Sequence, residues 1–102
     1  MIPELAQHRA ELEQLCRTRH VRRLELFGYA VHGTYHVGES DLDFLVEFDP
    51  LPQGTYADYY FELLESLERL FAQPVDLVVA SAIKNPYFRA SIDQSKRLLY
   101  AA

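Results

Sequence analysis

Asp41 and Asp43 stand two residues apart in Ser40-Asp41-Leu42-Asp43-Phe44-Leu45-Val46-Glu47-Phe48. Alternation along a strand aims both carboxylates at the same face, while Leu42, Phe44, Val46 and Phe48 share the other. Two carboxylates that close resist joint ionisation unless a cation lies between them. The chemistry they could do is to hold a hard divalent cation. Read alone, the same spacing equally describes the solvated face of a strand. A third acid, Asp76, interrupts the apolar run Pro74-Val75-Asp76-Leu77-Val78-Val79. An unpaired carboxylate buried in such a strand is costly, so it needs a partner or a metal. If the two strands are neighbours, the three acids form one oxygen cluster suited to Mg²⁺. The competing account pairs Asp76 with Arg22, Arg23 or a backbone donor. Upstream, Leu24-Glu25-Leu26-Phe27 runs into Gly28. A strand that ends in glycine and enters a helix offers N–H groups to a phosphate, although glycine also ends many strands without any such role.

These residues need a frame. Leu5, Leu12, Leu15 and Cys16 fall at helical intervals and predict one amphipathic helix from Pro3 to about Arg19, with Cys16 on its core side. Val21 to Phe27 reads as a strand with Val21, Arg23, Glu25 and Phe27 on one face, and Leu24 and Leu26 on the other. A run from Tyr56 to Phe71 repeats apolar residues at i, i+3, i+4 and i+7, and Thr55 with Asp58 resembles a capping box. Tyr56, Tyr59 and Tyr60 are assigned to the core and rim of that helix, with Asp58, Glu62, Glu65 and Glu68 mainly on its solvated side. Pro74 to Val79 is a short strand, Pro86 to Ser95 a helix, and Arg97 to Tyr100 a last strand. The order αβ(α)βαβαβ predicts an α/β or α+β layer with helices over a sheet.

Composition narrows the function. The chain has 102 residues, read as a single domain over 1–102, and 49% are hydrophobic. Ten basic against fifteen acidic residues leave a net charge of −5, a poor balance for direct nucleic-acid binding. The single cysteine excludes an internal disulfide and a cysteine-based zinc cluster. No apolar run reaches membrane-spanning length and no signal-peptide pattern opens the chain, so a cytoplasmic location without membrane contact is expected. His8, His20, His32 and His36 show no metal-ligand spacing.

Taken in order, Leu26-Phe27-Gly28, Gly33, Ser40-Asp41-Leu42-Asp43-Phe44-Leu45-Val46 and Val75-Asp76-Leu77-Val78 resemble the minimal nucleotidyltransferase (MNT) family of the DNA polymerase beta-like superfamily. The likeness extends over nearly the whole chain, including Ile83-Lys84-Asn85-Pro86-Tyr87 and Leu98-Leu99-Tyr100. It implies a nucleotidyltransferase fold, a short mixed sheet with helices packed against it. It implies Mg²⁺-dependent transfer of AMP from ATP to a protein side chain. By the same resemblance Asp41, Asp43 and Asp76 are the catalytic and metal residues for two Mg²⁺ ions. Gly28, Tyr29, Gly33 and Ser40 fall in the stretch that holds the nucleotide. Many members are antitoxins encoded beside a HEPN-type ribonuclease toxin, and characterised ones modify a toxin tyrosine. A HEPN-type partner, in a homo- or hetero-oligomer, is thereby implied.

The chain departs from the family where the triphosphate should sit. Tyr29 occupies the usual serine position, and Ala30-Val31-His32-Gly33 replaces a frequent Arg-x-Arg-Gly run. Phosphate clamping uses cations and backbone donors. The Gly28 backbone, His32, His36, Lys84 and Arg89 are left to supply them. The alternative function is therefore an MNT-fold module with impaired catalysis that neutralises a partner by contact.

Overall fold

The computed structural model describes residues 3–28 and 41–102. The helix expected after Gly28, and with it Tyr29, Gly33, His32, His36 and Ser40, lies outside the described residues. In chain order the elements are α1 (Pro3–Gln7), α2 (Arg9–Thr18), β1 (Val21–Phe27), β2 (Leu42–Phe48), α3 (Tyr56–Phe71), β3 (Val75–Val79), a single 3₁₀ turn (Ala80–Ala82), α4 (Pro86–Ser95) and β4 (Arg97–Ala101). The four strands form one mixed sheet in the order β3-β2-β1-β4. β1 runs antiparallel to both β2 and β4, whereas β3 runs parallel to β2 with α3 as the crossover.

One face of this sheet carries the main core. Leu24 and Leu26 of β1, with Leu42, Phe44 and Val46 of β2, are fully buried there. α2 contributes Leu12 and Cys16, and α3 contributes Leu63, Leu67 and Phe71, the i, i+4, i+8 stripe of its inner side. Each such leucine contributes about 1.5–3 kcal/mol by leaving water. Burial pushes the Cys16 thiol up to about 12, so it serves as packing. The opposite face is thinner. There α4 lays Ile92 over Phe27 and Leu45, with Val78, Ala80 and Ile83 at the margin.

Three expectations are corrected. The N-terminal segment is two helices broken at His8. Val21 joins the Leu24–Leu26 core instead of the Arg23–Glu25–Phe27 face, because the β1–β2 register shifts between Val21 and Arg23. An irregularity of this kind resets the alternation by one residue. No capping box opens α3: the Thr55 hydroxyl donates to the Pro52 carbonyl at 2.6 Å and caps nothing. The exit of α3 uses backbone conformation, with Ala72 left-handed at φ 55° before Pro74. Among the described residues no helix is long and apolar enough to cross a membrane.

Candidate active site

The sheet register decides which acids meet. In the parallel β2–β3 pair Asp43 lies opposite Asp76, and in the antiparallel β1–β2 pair Asp43 lies opposite Phe27. Partners directly across a ladder project to the same side. Asp43 and Asp76 therefore share the face that α4 covers only in part. Asp43 is half-buried, and Asp41, immediately before β2, is exposed.

Asp76 corrects the sequence expectation of a buried carboxylate. It is exposed, because β3 is an edge strand and nothing described covers its outward face at that point. The competing salt-bridge account also fails among the described residues. Arg22 pairs with Asp49 at 3.4 Å and Arg23 with Glu25 at 3.2 Å.

Gly28 closes the site from the β1 side. Its φ of +79° is a left-handed conformation that favours glycine, and a β-carbon there would collide with Oδ2 of Asp43. The same atom would lie 3.1 Å from Cγ of Asp43. Backbone is thus brought directly against the carboxylate, an approach that only glycine permits.

The electrostatics follow from the crowding. Burial first, then the charges of Asp76 and Asp41, together raise the Asp43 carboxyl from its ordinary 3.8 to about 6. Among the described residues no three His, Cys, Asp or Glu side chains already converge at metal-ligating distance. The charges of Asp76 and Asp41 act on Asp43 without the three acids being gathered around a common point. An all-carboxylate, hard-oxygen set with one member resisting ionisation fits a divalent cation such as Mg²⁺.

The structure also gives particular roles to residues outside the acid set. Glu25 is buried on the site-bearing face and is held by Arg23 and by Lys96 at 3.8 Å. Its only sequence signal was its alternation with Arg23 and Phe27. Tyr60 donates from its hydroxyl to the Leu77 carbonyl at 2.6 Å, tying α3 to the strand that carries Asp76. Burial, then Asp76, raises the phenol above its usual range. Arg89, a candidate phosphate cation, donates instead to the Ala80 carbonyl at 2.6 Å.

Comparison with known proteins identifies the family and the fold. The family model described as a nucleotidyltransferase domain matches residues 5–99. A Methanocaldococcus jannaschii protein provisionally named a protein adenylyltransferase is 38% identical over 74 residues, covering 72% of each chain. A solved structure provisionally named a minimal nucleotidyltransferase superposes with a TM-score of 0.74 at 27% identity, covering 91% of this chain and 90% of its own. The fold also matches a chain in the complex of a tri-AMPylated Shewanella oneidensis HEPN toxin with MNT antitoxin. That match has a TM-score of 0.63 at 19% identity, over 95% of this chain and 72% of the other. With its sheet, its cross-strand acids and a family match spanning almost its full length, the chain belongs to the nucleotidyltransferase domain family.

Proposed function

We propose that this protein transfers AMP from ATP to a side-chain hydroxyl of a partner protein, and that the partner is a HEPN-type toxin. The observation that carries the reading is the Asp43–Asp76 pair lying across adjacent strands with the Gly28 backbone against Asp43. Support for the acceptor class comes from the fold shared with the HEPN–MNT complex and from the adenylyltransferase relative.

Asp41, Asp43 and Asp76 would hold Mg²⁺. When bound, the metal supplies neutralisation of the triphosphate charge and alignment for in-line attack at the α-phosphorus. The Gly28 amide and its neighbours would donate to the phosphate oxygens. Asp76, exposed on the edge strand, is the carboxylate that an incoming hydroxyl reaches. The acceptor oxygen forms its bond to the α-phosphorus, the bond to pyrophosphate breaks, and Asp76 takes the hydroxyl proton.

Incubation with labelled ATP, Mg²⁺ and the product of the neighbouring gene tests this directly. Label on the neighbour is the expected result. If the native protein binds Mg-ATP but leaves the neighbour unlabelled, the proposed acceptor is wrong. No detectable binding at millimolar nucleotide favours a module that acts by contact alone.

Tyr29, outside the described residues, gives a second expected result. A phenol in place of a small hydroxyl donor, with both family arginines missing, should weaken nucleotide binding. Tyr29→Ser should tighten the Mg-ATP dissociation constant by roughly ten-fold, the worth of one hydrogen bond to a charged group. Arginine restored at Ala30 or His32 should tighten it further. Equal or weaker binding by the serine variant, at the same salt, would show that the phenol is accommodated.

A further inference from the structure

The carboxylates account for the phosphate end of a nucleotide and leave the nucleoside unplaced. Beside them stands an aromatic step. Phe27 is directly opposite Asp43 in the ladder and is itself buried. On it rests Phe88 of α4, ring centroids 6.3 Å apart in an edge-to-face arrangement, with 42% of Phe88 left exposed. An apolar ring that stays so open beside a polar site is unusual in position, though not in exposure alone.

The step is also held firmly. The Asn85 side chain accepts from the amides of Tyr87 and Phe88, at 2.9 and 3.3 Å, and Pro86 begins the helix. Arg89 anchors the same turn to Ala80. The ring is therefore presented by a capped, tethered helix start, which reduces the ordering cost of stacking on it. Facing strand residues have Cα atoms roughly 4.5–5.5 Å apart. One further ring contact then leads from Asp43 to Phe88, a span on the scale of a nucleoside.

We propose that Phe88, seated on Phe27 at the rim of the Asp43–Asp76 face, is the stacking platform for the nucleoside base of the triphosphate. This rests on the phosphate-end reading given above and adds the base-recognition element. Stacking uses a π-face that every base has, and purines offer the larger one. The side-chain oxygen of Asn85 and the guanidinium of Arg89 are already engaged, by the helix start and by the Ala80 carbonyl, and stacking itself reads no hydrogen-bonding edge of the base. The platform therefore selects purines over pyrimidines and separates ATP from GTP poorly.

The test measures dissociation constants of Mg-ATP, Mg-GTP, Mg-CTP and Mg-tripolyphosphate for native protein, Phe88→Ala and Phe88→Tyr. Native protein should bind ATP and GTP within a few-fold of each other and both more tightly than CTP. Phe88→Ala should lose about ten-fold or more toward both purine nucleotides. Its affinity for tripolyphosphate should not change, and Phe88→Tyr should retain native values. Equal losses toward ATP and tripolyphosphate would mean that Phe88 only supports the fold, and the platform is rejected. Unchanged ATP binding in Phe88→Ala rejects it as well. Native protein that binds tripolyphosphate as tightly as ATP also rejects the platform but leaves the phosphate site standing. Native protein that binds neither removes the phosphate site and the platform with it.

Discussion

Asp43→Asn is expected to abolish the proposed AMP transfer and, in the metal-free protein, to make the fold more stable at neutral pH. The loss of activity should be on the order of a thousand-fold or more in kcat/KM, about 4 kcal/mol of barrier, because Asp43 sits between the other two acids. The gain in stability follows from the raised carboxyl. Asp43 titrates near 6 in the folded chain against an ordinary 3.8, first through burial and then through Asp76 and Asp41. The folded state therefore holds the proton more tightly than the unfolded state does. Its contribution to stability is complete below about pH 4 and is lost as pH rises through about 6. A shift of that size corresponds to at most about 3 kcal/mol, and solvent around a half-buried group screens it to on the order of 1 kcal/mol.

Asparagine keeps the shape and removes the titration. Native and variant proteins should therefore melt together near pH 4 and diverge above pH 6, with the variant higher. Mg²⁺ should raise the Tm of the native protein by linkage and leave that of Asp43→Asn nearly unchanged. Parallel melting curves from pH 4 to 8 would mean that the carboxyl is not crowded. An equal Mg²⁺ response in both proteins would place the ion elsewhere.

Gly28→Ala carries the second large effect, and it acts through the same carboxylate. The residue is left-handed at φ +79°, where a β-carbon costs roughly 1 kcal/mol before any contact is counted. That β-carbon would also overlap the Asp43 carboxylate. The neighbour is a side chain, so it can rotate away at the expense of the site. The expected result is a destabilisation of about 1–3 kcal/mol in chemical denaturation, with Mg-ATP binding reduced beyond what partial unfolding explains. A double variant separates the two causes. In an Asp43→Ala background the overlap is absent, so Gly28→Ala should cost only the backbone part, near 1 kcal/mol. An equal cost in both backgrounds would show that Gly28 is required for its φ alone.

Much of this architecture was legible from residue order. The apolar stripe of α3 follows from helical spacing, and the structure places it, and the helix expected from Pro86 to Ser95, where residue order does. The strand Leu42–Phe48, with its wholly apolar inner face, was equally plain. Local features misled where two motifs compete for one side chain. Thr55 and Asp58 have capping-box spacing, but the Thr55 hydroxyl found the nearer Pro52 carbonyl. The break at His8 and the register shift after Val21 leave no periodic signal, because each is a single-residue event.

Residue order alone shows which side chains could carry charge chemistry: Asp41 and Asp43 on one strand face, Asp76 in an apolar strand and a glycine at the end of β1. Periodicity sets the face each residue occupies, and that information is local. Only the tertiary structure decided that β3 lies beside β2 in the register that sets Asp76 against Asp43. It also decided that β3 is an edge strand, which leaves Asp76 exposed and reachable when its apolar neighbours pointed to burial. The pairing of Phe27 with Phe88, the ion pairs of Glu25 and the closeness of Gly28 to Asp43 were decided there too. The physical reason is common to all of them. Strand order and register depend on which faces bury best across the whole sheet, a sum over distant contacts that no local spacing encodes.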